Sequence, residues 1–277
     1  MNPFDIRRAA PGLEEDEPGI WFGPRARGVS YPDQANAAYS RVEDRSFWFR
    51  HRNRCIVSLV RLFPPQGVLL DIGGGNGFVA QGLAEAGFAC ALLEPGLDGA
   101  RAARARGVGP VICATLKDAG LAPGSIGAAG LFDVIEHIED EATALREVWR
   151  ILEPGGRLFV TVPAYQWLYS ADDEAAGHFR RYTAASLRRA LEAAGFRVEF
   201  ATYLFLFLPP VVFALRTLPS RLGLRVAPAA DLDPADHAPG GAARFLVDAA
   251  LAAEYALLRR GVKSPAGGSC LCVAVKI

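Results

Sequence analysis

The sequence predicts an α/β protein built on a doubly wound, seven-stranded sheet. Apolar runs of strand length alternate with helical patterns over residues 66–203, and a glycine-rich turn follows the first run. A last apolar run at 269–275 supplies the seventh strand. Such alternation is typical of a sheet covered by helices on both faces. At 277 residues, 51% of them hydrophobic, the chain can bury a core of this size.

The composition excludes several classes of protein. Thirty basic and thirty acidic residues give a net charge of zero, so the basic footprint of a general nucleic-acid binder is missing and small molecules are the expected partners. The five cysteines lack the spacing of a zinc site or a disulfide framework. No signal peptide or membrane-spanning run is indicated. We therefore expect a cytoplasmic protein, with Cys270 and Cys272 buried on one face of a strand.

The N-terminal part divides into two segments. Residues 1–36 are rich in Pro, Gly and charge, which predicts a mobile leader. Residues 37–65 are predicted to form a helical cap, in which aromatic and basic residues at 47–54 precede an apolar stripe. Two interpretations of this cap stay open: it packs on the sheet, or its aromatic residues and cations roof a cofactor pocket.

The core follows as six strands with helices between them. The strands are predicted at 67–72, 88–93, 111–114, 128–135, 157–162 and 196–203. The helices are predicted at 76–86, 97–106, 140–152 and 184–194. Thr183 is a suitable N-cap for the last of them, and Gly195 a suitable residue to end it.

An insertion at 204–268 separates this core from the last strand at 269–277 and is longer than an ordinary connection. It contains an apolar, proline-broken run at 204–215, a loop at 228–241 and a helix at 242–260. Buried packing or a dimer face is one interpretation. The other is a lid over a pocket for an apolar or lipid-linked acceptor that also touches a membrane surface.

The turn after the first core strand carries the main functional signal. From Asp71 it reads D-x-G-x-G-x-G, with glycines at Gly73, Gly75 and Gly77. Glycine adopts positive φ at little cost and lets a ligand approach the backbone closely. A dinucleotide-binding fingerprint would need its third glycine at the position of Phe78, which disfavours a nicotinamide-dependent oxidoreductase.

Three motifs together resemble class I S-adenosylmethionine (SAM) methyltransferases. The glycine turn is similar to their first motif, residues 131–140 (LFDVIEHIED) to the strand-four motif of ubiquinone-biosynthesis-like members, and residues 152–158 (LEPGGRL) to the turn before strand five. The resemblance covers residues 45–203. It implies a Rossmann-like sheet with an antiparallel last strand. It also implies methyl transfer from SAM to an oxygen or nitrogen of a small-molecule, lipid-linked or glycan-linked acceptor. A binding protein that retains the fold without turnover is the alternative.

The motifs also imply which residues hold the cofactor. The glycines would contact the methionine part of SAM, Glu94 at the end of strand two would accept the ribose hydroxyls, and Asp133 would lie near the methionine end. Residues after strand three would flank adenine. The cofactor-binding residues expected are Asp71, Gly73, Gly75, Gly77, Glu94, Pro95, Thr115, Leu116 and Asp133.

The acceptor is expected to bind the segment after strand five, which gathers aromatic, acidic and basic residues at the same sheet edge. The predicted substrate-binding residues are Tyr165, Trp167, Asp173, Arg181 and Tyr182. A general base would accelerate transfer to a hydroxyl or ammonium group, and histidine suits neutral pH.

Two histidines are candidates for this base, namely His137 and His178. The alternatives are packing or a SAM contact for His137, and a clamp on the start of a helix for His178. His51 and His237 are expected at the surface or in loops. Glu136 and His137 with Asp140 could hold a divalent ion, but their spacing is unspecific and no metal site is predicted.

Overall fold

A computed structural model describes residues 5–23, 43–224 and 241–277 of the chain, with side chains from residue 244 in the last range. In the described residues one mixed sheet runs through the protein, in the order β1-β2-β5-β4-β3-β6-β7-β9-β8. Its strands are β1 (Glu14–Glu17), β2 (Ile20–Phe22), β3 (Leu69–Ile72), β4 (Cys90–Leu93), β5 (Val111–Cys113), β6 (Ile126–Phe132), β7 (Leu152–Pro163), β8 (Phe196–Leu204) and β9 (Ser269–Lys276).

The strand directions confirm the predicted class of fold. Strands β5, β4, β3, β6 and β7 are parallel, and β9 runs antiparallel between β7 and β8. The chain builds β3, β4 and β5 outwards, then returns to place β6 on the other side of β3. This reversal opens a crevice at the carboxyl ends of β3 and β6, where open α/β sheets bind their ligands.

Helices cover both faces of the sheet. They are α1 (Ile6–Ala9), α2 (Phe47–Leu62), α3 (Phe78–Glu85), α4 (Leu97–Ala105), α5 (Glu141–Ile151), α6 (Ala171–Ala175), α7 (Ala184–Ala193), α8 (Leu208–Val212), α9 (Leu218–Arg221) and α10 (Gly241–Leu258). A π-helical turn at Phe213–Thr217 joins α8 to α9. Thr183 caps α7 as predicted, since its hydroxyl accepts a hydrogen bond from the Ser186 N–H.

Successive residues of the central strands pack into opposite layers. Leu70 of β3 is buried in the layer that holds α5 and α7, whereas Leu69 is buried in the layer that holds α2 and α3. This arrangement follows from the two-residue period of a strand covered on both faces. It explains why the strands appear in the sequence as continuous apolar runs.

The sheet has two more strands than predicted because residues 5–23 are not the expected mobile leader. Strands β1 and β2 form an antiparallel hairpin, and β2 pairs in parallel with β5, Ile20 lying opposite Val111. Ile6 and Leu13 are buried against the core. The rest of the predicted leader, residues 1–4 and 24–36, lies outside the described residues.

Within the predicted cap, helix α2 packs on the sheet while its first turn reaches the carboxyl edge. Its residues Cys55, Ile56 and Leu59 are fully buried against the core. His51 was expected at the surface but is buried, with Nε2 lying 3.4 Å from Cys55 Sγ. His51 lies on the same face of the helix as the apolar stripe and is therefore buried. The arginines next to it in sequence made a surface position look more suitable. His237 lies outside the described residues.

The insertion packs at two places. The π-helical turn and α9 dock on the segment after β7. Helix α10 packs along α2, and its Glu254 accepts the N–H of Phe205, which follows β8, at 2.6 Å. The predicted loop at 228–241 lies almost entirely outside the described residues. No helix in the described ranges is both long and apolar enough to cross a membrane. All five cysteines are buried and free, as expected for Cys270 and Cys272.

Candidate functional site

The glycine turn joins β3 to α3 at the carboxyl edge of the sheet. Gly73, Gly75 and Gly77 have φ values of 68°, 52° and 77°, in the left-handed region that glycine adopts without strain. Gly77 is the N-cap residue of α3 and carries no side chain that could occupy the first N–H groups of the helix. These groups are therefore available to a ligand that approaches the turn.

Asp71 lies beneath this turn and lacks a well-formed hydrogen bond. Its side chain is buried, and neither carboxyl oxygen has a geometrically satisfactory partner in the structure. Burial raises the pKa of Asp71 to about 7, against the opposing effect of the Arg52 cation. Buried polar atoms are nearly always paired in folded proteins, so these oxygens indicate a ligand or a water molecule at the turn.

Glu94, directly after β4, connects the end of that strand to the glycine turn. Its two carboxylate oxygens accept the N–H groups of Gly75 at 2.9 Å and Gly96 at 2.8 Å. Burial raises the pKa of Glu94, while both hydrogen bonds oppose that shift. A carboxylate has about four lone-pair positions, so two remain for the hydroxyls of a ribose.

Asp133 stands across the crevice, after β6. Its φ of 58° is unusual for a residue other than glycine and is typical of strained functional positions. The Thr161 hydroxyl donates to its carboxylate at 3.0 Å, and Arg52 of α2 forms an ion pair with it. A Cβ on Gly73 would come within 3.0 Å of Val134, so the glycine turn and the Asp133 loop are in direct contact.

Arg52 is the main residue of this site that sequence reasoning missed. It is buried, and its guanidinium lies 4.7 Å from the centre of the Trp48 ring. The available signal is the spacing: Arg52 follows Trp48 by one helical turn, whereas Arg50 falls on the exposed face. The cap helix thus contributes a cation to the carboxyl edge as well as an apolar stripe to the core.

The predicted adenine contacts follow the neighbouring strands. Thr115 begins a turn after β5, and its hydroxyl donates to Asp118 Oδ2 at 2.7 Å. Leu116 is half-buried next to it. Pro95, directly after Glu94, accepts the Cys113 thiol through its carbonyl at 3.8 Å. Thr115, Leu116 and Pro95 therefore lie at the carboxyl ends of β4 and β5, close to Glu94.

These features fit SAM at three points. The turn provides exposed backbone donors without side chains, Asp71 provides unsatisfied buried oxygens, and Glu94 keeps free acceptor positions at the end of the adjacent strand. Asp133, paired with Arg52, lies on the opposite side of the crevice.

On the acceptor side, Asp173 organises the segment that precedes α7. It is buried and accepts hydrogen bonds from His178 Nδ1 at 2.8 Å, Arg181 Nε at 2.7 Å and the Ser170 N–H at 2.9 Å. Burial on its own would raise the pKa of Asp173, but the bonds from His178 and Arg181 outweigh it and lower the pKa to about 2. Asp173 and Arg181 thus hold each other and His178, rather than standing free for a substrate.

The two candidate bases lie together. The rings of His137 and His178 meet edge to face, with centroids 4.6 Å apart. Burial and the neighbouring His178 lower the pKa of His137 to about 4, so its ring is neutral at pH 7. Glu136, between them and the core, is fully buried, and burial raises its pKa to about 8. Asp140 instead caps α5 by accepting the Thr143 N–H, which separates it from this cluster.

The three predicted aromatic contacts have different positions. Tyr165, with a φ of 62°, stacks on Tyr203 at 5.4 Å and on Trp167 at 5.8 Å. Trp167 is 47% exposed and faces Phe213 of the insertion. Tyr182 is buried, and its hydroxyl donates to Glu141, so it packs beneath the segment instead of facing the crevice.

Comparison with known proteins assigns the fold and the family. Residues 46–200, more than half of the chain, match the family described as "Methyltransferase domain". A protein of Mycolicibacterium smegmatis named as a probable S-adenosylmethionine-dependent methyltransferase is 30% identical over 163 residues, which cover 57% of this chain and 62% of that protein. The match thus spans less than two thirds of that relative's length. Demethylmenaquinone methyltransferase of Corynebacterium urealyticum is 29% identical over 163 residues, covering 57% of this chain and 67% of that enzyme.

Solved structures share the fold at low identity. A SAM-dependent methyltransferase of Thermotoga maritima, described as a possible histamine N-methyltransferase, is 19% identical, with a TM-score of 0.56 over 88% of this chain and 98% of that one. Phosphoethanolamine N-methyltransferase 2 of Haemonchus contortus, solved with SAM, is 19% identical, with a TM-score of 0.54 over 90% of this chain and 60% of that one. None of these relatives is a nicotinamide-dependent oxidoreductase. The chain therefore belongs to the methyltransferase domain family.

Proposed function

We propose that this methyltransferase acts on an oxygen or nitrogen atom of a lipid-linked small molecule, which it meets at a membrane surface. SAM supplies an activated methyl group on a sulfonium, so the enzyme's own residues need to position the acceptor and exclude water. The observation that supports this acceptor class is an aromatic wall that continues into a row of exposed leucines.

The aromatic wall begins beside the crevice. The rings stand in the order Tyr203, Tyr165, Trp167 and Phe213, with neighbouring centroids 5.4 to 5.8 Å apart. Large aromatic faces of this kind bind apolar or planar groups and hold them by shape. The wall runs from the carboxyl edge of the sheet outwards to the insertion.

The insertion is firmly docked at the outer end of this wall. The Thr217 hydroxyl donates to the Leu168 carbonyl at 2.9 Å, and the Ser220 hydroxyl accepts the Ala171 N–H at 3.0 Å. Arg221 donates to the Trp167 carbonyl at 2.9 Å. These bonds fix the π-helical turn and α9 against the acceptor segment, so the outward side chains of the insertion lie beside that segment.

Those outward side chains are apolar. Leu215 is 64% exposed and Leu222 is 62% exposed. The other exposed apolar residues of this segment are Leu206, Val211, Leu218 and Leu224. Exposed apolar side chains gathered in one segment favour an interaction site there. Arg216, which forms a 3.8 Å ion pair with Asp172, and Arg221, which donates to the Trp167 carbonyl, lie on the same turns and are still exposed to solvent. Anionic head groups can approach both guanidinium groups there.

Deprotonation of the acceptor falls to the polar end of the pocket. The neutral His137 ring and the His178 ring, which Asp173 orients, lie at the turn after β6, next to Asp133. We include His137 and His178 in the proposal as the residues that take or direct this proton.

Methyl transfer to lipid tests the acceptor class directly. The protein is incubated with methyl-labelled SAM and either a lipid extract or a water-soluble extract of its own cells. Label in the organic phase of the lipid reaction is the expected result. Label that appears only with the water-soluble extract would contradict a lipid-linked acceptor.

Flotation with vesicles tests whether the exposed leucines of the insertion bind a membrane surface. Vesicles of neutral phosphatidylcholine, with and without anionic phosphatidylglycerol, should carry the protein upwards, and the anionic ones should carry more of it. Leu215→Ser/Leu222→Ser should abolish flotation, whereas Leu246→Ser/Leu257→Ser, exposed leucines of α10, should retain it. If the wild type does not float but forms a dimer in solution, and Leu215→Ser/Leu222→Ser is monomeric, these leucines form a dimer face and the membrane proposal is wrong.

A further inference from the structure

Three side chains at the turn after β6 have the composition of a metal site. Candidate donor atoms of Glu136, His137 and His178 all lie within 4.8 Å of one another. Donor atoms of a single ion lie about 3 Å apart when each bond is about 2.1 Å long, so small side-chain rotations are enough to bring them together. Glu136 and His137 are consecutive in sequence, and His178 comes from the acceptor segment.

Glu136 gives the strongest reason to expect a ligand there. Its side chain has no solvent exposure, and neither carboxyl oxygen has a hydrogen-bond partner in the described structure. Leaving two such oxygens unpaired in the interior is costly. A cation would satisfy both.

The two histidines are held as metal ligands usually are. Because the Asp173 carboxylate can only accept, the 2.8 Å contact places a proton on His178 Nδ1 and leaves Nε2 free to bind an ion. The ring of His137 interacts with the backbone carbonyls of Gly177 and Ala176. A ligating histidine commonly gives its second nitrogen to a carboxylate or a carbonyl, which fixes the orientation of the ring.

Two arginines lie close enough to influence Glu136, but each is already paired. Arg52 is bound to Asp133, and Arg181 to Asp173. The local charge is therefore balanced before Glu136 is counted. A bound cation displaces the proton of Glu136, and the carboxylate then supplies the negative charge that a divalent ion needs.

We propose that Glu136, His137 and His178 bind one divalent first-row transition-metal ion next to the methyl-transfer site. Two imidazoles and one carboxylate favour Mn²⁺, Fe²⁺, Co²⁺, Ni²⁺ or Zn²⁺ over Mg²⁺ and Ca²⁺, which prefer oxygen ligands alone. Three protein ligands leave coordination positions open. An acceptor hydroxyl that occupies one of them would lose its proton more easily, and this role, unlike the binding itself, rests on the proposed function.

Cobalt binding tests the site without an acceptor. Chelator-treated full-length protein is dialysed against Co²⁺, and bound metal is measured together with the visible absorption of the cobalt complex. About one equivalent and a ligand-field spectrum are expected for the wild type. His137→Gln, His178→Gln and Glu136→Gln should each bind at least about tenfold more weakly, and Asp173→Asn about 10- to 100-fold more weakly.

His51→Gln is the matched control because it removes a buried histidine elsewhere in the fold, and it should bind cobalt like the wild type. S-adenosylhomocysteine affinity, measured by calorimetry on every variant, confirms folding and reports the methyltransferase function separately. Wild-type protein that binds the nucleoside but no cobalt would overturn the metal site and leave the proposed function standing. Loss of cobalt in His51→Gln alone would assign the metal to another place and also overturn it.

Discussion

Arg52 of the cap helix forms an ion pair with Asp133, the left-handed residue that follows β6. The pair connects two parts of the chain that are 81 positions apart in sequence. It brings α2 over the crevice and holds an acidic side chain beside the glycine turn. The cap helix α2 therefore helps to build the candidate cofactor site.

Removing the cation alone should be costly. In Arg52→Met, Asp133 keeps its charge in a largely buried place without its partner, and we expect a loss of about 3 kcal/mol in the free energy of unfolding. Urea denaturation measures it. Arg50→Met, on the exposed face of the same helix, is the control and should change the free energy by less than about 0.5 kcal/mol. Equal effects of both substitutions would show that the pair does not stabilise the fold.

Glu94→Ala should weaken the binding of S-adenosylhomocysteine at least about tenfold, roughly 1.4 kcal/mol. The substitution removes the acceptor for the ribose and also the carboxylate that holds the Gly75 N–H. Isothermal titration calorimetry measures the affinity. Glu199→Ala is the control. It removes a carboxylate of β8 that is paired with Arg157 of β7, and it should leave the affinity unchanged. An unchanged dissociation constant in Glu94→Ala would place the ribose elsewhere.

Gly77→Ala should be more destabilising than Gly87→Ala, although both glycines have positive φ. A Cβ on Gly77 would lie 2.7 Å from the Ala103 Cβ, so α3 and α4 would have to move apart, whereas a Cβ on Gly87 meets no atom within 4 Å. We expect Gly87→Ala to cost about 1 kcal/mol from backbone strain, and Gly77→Ala about 1–3 kcal/mol more. Thermal unfolding of the two variants checks the order, and similar midpoints would contradict it.

Asp71→Asn should change how stability depends on pH. The pKa of Asp71 is about 7 in the folded chain, against 3.8 for an unperturbed aspartate. As the pH rises, the unfolded chain ionises first, so the wild type loses stability between about pH 4 and 7 and no further above that range. Asparagine cannot ionise. From pH 4 to 7 the free energy of unfolding of the variant should therefore rise by roughly 1–4 kcal/mol relative to that of the wild type. Urea denaturation in the absence of ligand measures it. A constant difference would show that Asp71 is ionised in the fold.

The predictable part of the site consists of local motifs. Gly73, Gly75 and Gly77 and the acids that end their strands follow from the sequence because each acts where its own strand stops. The alternation of apolar strands and helices similarly determines the layers of the core.

The surroundings that the sequence does not reveal depend on contacts between distant segments. Arg52 is one of several cations in α2, and only packing on the sheet shows which one faces Asp133. Asp173 and Arg181 look like free binding groups, but they bind each other across eight positions. Residues 5–23 have a composition typical of disorder, yet Ile20 completes a pairing with β5 that no local pattern reveals.

The hairpin of β1 and β2 also protects the sheet. Without it, β5 would present a row of open backbone groups to any extended chain, including an identical protein. The hairpin covers that row, so that among the described strands β1 stands at the border of the sheet. The sequence of β1 is Glu-Glu-Asp-Glu, and its first three residues are exposed. A second copy approaching there would bring the same four acids face to face, so self-association by sheet extension is opposed by electrostatic repulsion at this border.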